Sequence, residues 1–210
     1  MSSASFSAWT RWGGVLWLAV WVPTYWIVWG WPSFLRLCNI AVLLTCIGLW
    51  RSNTLLLSSQ AVSSIVADAA WCVDVAWRLF LGRHLFGGTE YMWDKHFPLW
   101  VRLLSLYHVV LPALLIWSLR RVGYDQRGWK LQAGIAAVLF ALSRFLDPAV
   151  NINFAFRDPI FHRAWGPAPV HLLVMWLGLN AVFYWPIHFV FARYLGQPKR
   201  LPLQGAGTFQ

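Results

Sequence analysis

His108 is the side chain best placed to move a proton. It lies in the stretch RLLSLYHVVLPALLI, residues 102–116. That is about 11 residues into an apolar run, or roughly 16 Å at 1.5 Å per residue. An imidazole is too short to reach headgroups from that depth, and its ordinary pKa near 6.5 suits a general base. A nucleophile for such a base needs a thiol or hydroxyl within hydrogen-bond reach. Cys38, Cys46 and Cys72 all fall in apolar segments. Cys38 has Arg36 and Asn39 as neighbours, and Cys72 lies two residues before Asp74. Cys38 sits roughly 7 Å inside its run, whereas Cys72 matches His108 better in depth. Spacing leaves both open, and a buried free cysteine more often packs than reacts.

Other costly residues accompany these. Asp74 and Arg78, four apart on a helix, are expected to pair, and Arg144 is expected to pair with Asp147. Arg102 and His171 complete a set with Arg36, Asn39, Cys38 and His108. No CxxC, HxxxH or Glu-x-x-His spacing occurs, so no metal or cofactor is expected.

The elements that position these residues are apolar helices. Of 210 residues, 59% are hydrophobic and only 11% charged, against about 25% charged in soluble domains. Runs near 20 residues recur at 12–31, 33–50, 54–82, 97–119, 129–146 and 168–195. The expected fold is an all-α, polytopic membrane protein: a six-transmembrane-helix bundle in one domain, 1–196, with a disordered tail, 197–210. Many of the 17 tryptophans fall near run ends, as interfacial aromatic belts do. The net charge of +10 is read as cationic flanks of spans, with membrane lipids as partners and no nucleic acid. The Lys/Arg bias puts both termini on the cytoplasmic side of the plasma or inner membrane. In this threading the ionisable side chains of spans two to six gather at one level. The expectation is a polar cavity open toward the outer side. The run Ser58, Ser59, Gln60, Ser63, Ser64 reads as close helix packing. Asn151 and Asn153 read either as a lid on the cavity or as a turn.

Two stretches carry a resemblance. LRLCNIAVLL, residues 35–44, resembles the start of a helix in YwaF-type integral membrane proteins, and residues 102–116 resemble their later helix with an aromatic-flanked histidine. Where the usual pattern has a histidine just before the cysteine, this chain has Arg36-Leu37. The group includes relatives that act as lipid acyltransferases and, more distantly, hydrolases of fatty-acid esters. The resemblance implies Cys38 as nucleophile and His108 as base. The expectation is intramembrane acyl transfer or lipid-ester hydrolysis, with Arg36 or Asn39 stabilising the oxyanion. The alternative is a non-catalytic structural or lipid/pigment-contacting subunit, with partner subunits in a membrane complex.

Overall fold

The computed structural model describes residues 6–85 and 87–196, and the expected tail at 197–210 lies outside them. Among the described residues the chain is all-helical, with no strand beyond one isolated bridge. The helices are α1 (Ala8–Trp29), α2 (Leu37–Arg51), α3 (Thr54–Leu81), α4 (Leu99–Leu103), α5 (Tyr107–Val122), α6 (Gly128–Ser143), α7 (Ala168–Leu179) and α8 (Trp185–Tyr194). A single 3₁₀ turn joins α4 to α5, and a π turn at Asn180–Tyr184 joins α7 to α8. Pro186 follows that π turn; a proline lacks the N–H a regular helix needs and crowds the preceding turn.

Among the described residues, four rods are long and apolar enough to cross a membrane: Ala8–Trp29, Thr54–Leu81, Leu99–Val122 and Ala168–Tyr194. The other two expected spans are shorter, with 15 residues in α2 and 16 in α6. Those lengths correspond to about 22–24 Å, against a hydrocarbon core of about 30 Å.

Beside an apolar core, the burial pattern departs from that of a protein built for water. Ile27, Phe80 and Phe145 are each at least 80% exposed, while Gln60, Asp68, Asp74, Gln132 and His171 are buried. Large apolar side chains on the outside and polar ones inside suit a lipid solvent.

Local chemistry sets the turns. Ser7 caps α1 by accepting from the Thr10 N–H, and Gly30 ends it at φ 72°, a backbone that disfavours any side chain with a Cβ. Pro32 then opens a 3₁₀ turn, Trp31–Leu35, that leads into α2. Asn53 caps α3 through the Leu56 N–H, leaving only Ser52 and Asn53 between α2 and α3.

The 28-residue α3 is the central post, packed against α2, α5 and α6. It meets α6 tightly at Gly128, where a Cβ would stand 2.7 Å from the Ser58 Cβ and 2.9 Å from its carbonyl carbon. An aromatic cluster of Trp21, Tyr25, Phe34 and Tyr107 fills the space between α1, α2 and α5.

Candidate active site

Asp68 lies halfway along α3, and α5 packs beside it. There the Asp68 Oδ1 stands 2.6 Å from His108 Nδ1. The aspartate is fully buried and the histidine nearly so. Trp71, one turn on from Asp68, stacks on the His108 ring at 4.8 Å and 20° between planes. With the carboxylate as acceptor and the imidazole neutral, Nδ1 would carry the proton and Nε2 would present its lone pair. Nε2 has no protein partner among the described residues.

His108 lines a cavity of about 620 Å³. Cys38 and Asn39 from the first turn of α2 line it too, with Tyr25, Trp71, Tyr91 and Tyr107 as aromatic walls. Arg36, Asp147 and Val150 are exposed and mark its mouth. The mouth lies at the end of the bundle where α1 stops, α2 starts and α6 stops, here termed the cavity end.

The polar wall beside the thiol is firmly set. The Tyr107 hydroxyl donates to Asn39 Oδ1 at 2.7 Å, and Asn39 Nδ2 donates to the Ser33 carbonyl at 2.8 Å. The Cys38 thiol points at the same Asn39 Oδ1, 3.8 Å away. Asn39 is therefore committed to holding α2 against the 3₁₀ turn and α5. The Arg36 backbone caps the turn into α2, but its side chain makes no hydrogen bond or ion pair among the described residues, which leaves its guanidinium available at the mouth. Cys72 takes a different part: its thiol contacts the backbone carbonyl of His108 at 3.6 Å, and it does not line the cavity.

The loops over this end are tied down by buried carboxylate and amide groups. Asp74 accepts from the Leu85 N–H at 2.7 Å and the Gly87 N–H at 3.2 Å, and bonds His84 Nδ1 and the Thr89 hydroxyl. This differs from the expected Asp74–Arg78 pair. The chain reverses at Gly82, φ 74°, and brings loop N–H donors to the carboxylate. Arg78 instead lies over the Trp93 ring, 5.9 Å from its centroid. The Arg144–Asp147 pair does not form either. Arg144 donates to the Ala155 carbonyl at 3.1 Å and lies over Phe156, while Asp147 accepts from the Ala149 N–H. Arg102 donates to the Met92 carbonyl at 2.7 Å. His171 is buried between the Phe154 carbonyl and the Trp165 N–H. Arg78, Arg102, Arg144 and His171 thus secure loops, and none of them lines the cavity.

Asn153 acts as a fastener. Its side chain accepts from the Leu37 N–H at 3.0 Å and donates to the Leu35 carbonyl at 2.7 Å and to Ser143 Oγ at 2.9 Å. One loop amide so fixes the start of α2, next to Cys38, and the end of α6. Tyr91 reaches down from its loop to accept from Trp71 Nε1 at 3.0 Å. Burial pushes the Tyr91 phenol above its usual range, so it serves as a neutral hydroxyl at neutral pH.

Sequence reasoning singled out Arg36, Cys38, Asn39 and His108, and these four share the cavity. It gave Asp68 no role, although Asp68 is the one carboxylate on the histidine. The available signal was the match in depth with His108 and the spacing of Asp68, Trp71 and Cys72 on one helix face. Comparison with protein-family models, with curated proteins and with solved structures gives no match for this chain.

Proposed function

We propose that this protein is a membrane-embedded enzyme of acyl-ester chemistry, in which the Asp68–His108 pair activates the Cys38 thiol. The reading rests on one observation above the rest: a histidine held through Nδ1 by a buried aspartate, its other nitrogen free, on the same cavity as a cysteine. That is the arrangement of base and orienting acid that nucleophilic catalysis requires. In this reading His108 takes the thiol proton as sulfur attacks the carbonyl carbon of a lipid ester. The tetrahedral oxyanion is stabilised by Arg36 at the mouth. The C–O bond then breaks, the alcohol leaves with the proton from His108, and the acyl group remains on Cys38 as a thioester. Water would complete hydrolysis; an acceptor hydroxyl would complete transfer. Asn39 holds the wall, since its amide is already engaged.

The same reading takes α2 and α6 as short spans, completed by flanking turns and local bilayer thinning. Six crossings then put both termini on the cytoplasmic side and the cavity toward the outer leaflet, where a lipid ester enters.

A thiol-directed activity probe tests the assignment. Labelling in membranes is expected at Cys38, absent in Cys38→Ala and strongly reduced in His108→Ala. Equal labelling of wild type and His108→Ala would remove the histidine from the mechanism.

A further inference from the structure

The half of α3 that leads away from the cavity carries buried polar side chains. Gln60, Ser64 and Asp68 follow at four-residue spacing, so they form a row with about 6 Å between successive members. All three are at most 1% exposed. Each has an oxygen with no hydrogen-bond partner among the described residues: Gln60 Oε1, Ser64 Oγ and Asp68 Oδ2. The row starts at Gln60, six residues from the first residue of α3, or about 9 Å along the helix. It ends at the aspartate that holds His108.

Close packing explains part of this helix face. Ser58 abuts Gly128 of α6, where only small groups fit. His108 accounts for one oxygen of Asp68, and Ser59 and Gln132 account for the Gln60 amide nitrogen, but neither these bonds nor packing accounts for the three buried oxygens without partners. A buried oxygen left unsatisfied costs about 1–3 kcal/mol, and proteins meet that cost with ordered water. Two hydrogen bonds of about 2.8 Å span about 5.6 Å, close to the axial spacing of the row, so a single water has the length needed to bridge successive members. The far end is also polar: Gln60 Nε2 donates to Gln132 Oε1 of α6, and Gln132 Nε2 donates to the Tyr184 hydroxyl in the π turn, both at 3.3 Å.

We infer that Gln60, Ser64 and Asp68 hold a file of water molecules that carries protons between the Asp68–His108 pair and the end of the bundle opposite the cavity. Each water accepts a proton on one side and releases another on the far side. A proton taken from the cavity at His108 Nε2 releases the Nδ1 proton to Asp68 Oδ1, the proton on Oδ2 passes to the first water of the file, and carboxyl rotation with ring tautomer exchange resets the pair. Only a proton moves, and no redox partner is required. The inference goes beyond the acyl chemistry and needs no role for Cys38.

The test uses the full chain in lipid vesicles with a trapped pH-sensitive dye and a potassium diffusion potential set by valinomycin. No lipid substrate is added beyond the bilayer. Wild-type vesicles are expected to acidify faster than protein-free ones. Gln60→Leu and Ser64→Val are expected to return the flux to the protein-free rate, and Ser64→Ala, a smaller change that keeps the helix contact, to lower it. Cys46→Ala, on α2 beside Gly14, is expected to keep the wild-type flux. A wild-type flux equal to that of protein-free vesicles overturns the inference, as does a full wild-type flux in both Gln60→Leu and Ser64→Ala. Because the readout is proton flux, its failure is separate from any failure of Cys38 labelling.

Discussion

Replacing His108 by alanine strands Asp68 in the middle of α3. Asp68 is 0% exposed and its Oδ2 already lacks a partner, so the loss of the 2.6 Å contact leaves no protein hydrogen bond to the carboxyl group. Removing one partner of a buried pair costs about 3–5 kcal/mol, mostly through the group left behind. Replacing Asp68 by alanine is milder. It leaves the imidazole beside the cavity, still stacked on Trp71, at a cost of about 1–3 kcal/mol for the unmade hydrogen bond and lost packing. Removing both side chains leaves no orphan, so the double variant is expected to be less destabilised than the two single losses taken together by at least about 1.5 kcal/mol. The assay is unfolding of the purified protein in detergent micelles, followed by fluorescence from its 17 tryptophans. A double variant at least as stable as His108→Ala alone would show directly that the aspartate depends on its histidine. Single effects that add to within about 0.5 kcal/mol would refute the pairing and the reasoning built on it.

Three further outcomes follow from the packing and the loops. Asn153→Ala removes three hydrogen bonds and puts alanine at φ 52°, so a loss of about 2–4 kcal/mol is expected in the same unfolding assay. Asn153→Gly, which tolerates that φ, should recover only the backbone part. Gly128→Ala forces a methyl group against the Ser58 backbone and is expected to cost about 1–3 kcal/mol; a neutral result would mean that α3 and α6 do not approach so closely. On the α5–α6 loop, hydrogen bonds from Arg127 hold the Asp125 carboxyl below the usual carboxylate range. A group whose folded-state pKa is lowered stabilises the fold above its unfolded value, and the contribution is lost as pH falls through the folded value. Asp125→Asn should therefore lower the melting temperature slightly at neutral pH, with a difference from wild type that fades in acid; a constant offset would deny the Asp125–Arg127 contact.

The helical architecture was readable because long apolar runs leave little alternative. Run ends fell close to the observed helix ends wherever a strong breaker stood nearby, as with Gly30 and Pro32 after α1 or Ser52 and Asn53 before α3. Arg36, Cys38, Asn39 and His108 line one cavity, yet depth along the runs set Cys38 apart from His108 and matched Cys72 to it better, because run boundaries alone do not show how α2 and α5 are offset. Partner choice was not readable either. Asp74 and Arg78 satisfy the helical pairing rule, yet loop N–H groups outcompete the guanidinium once the chain turns back at Gly82. Arg102 and Arg144 looked like site cations but serve as donors to loop carbonyls, whose positions no local spacing rule reveals. Asp68 was hidden for the opposite reason. It follows a run of small polar residues that reads as helix packing, and its partner lies 40 residues away on α5.

The account stands most directly on whether Cys38 carries an acyl group during turnover. Purified protein incubated with a lipid ester, quenched in acid and digested, can be read by mass spectrometry at the Cys38 peptide. The expected result is an acyl thioester on Cys38 that hydroxylamine removes and that is missing in His108→Ala. Ester turnover that persists unchanged in Cys38→Ala, or a Cys38 peptide that stays unmodified while the lipid is consumed, would contradict the account.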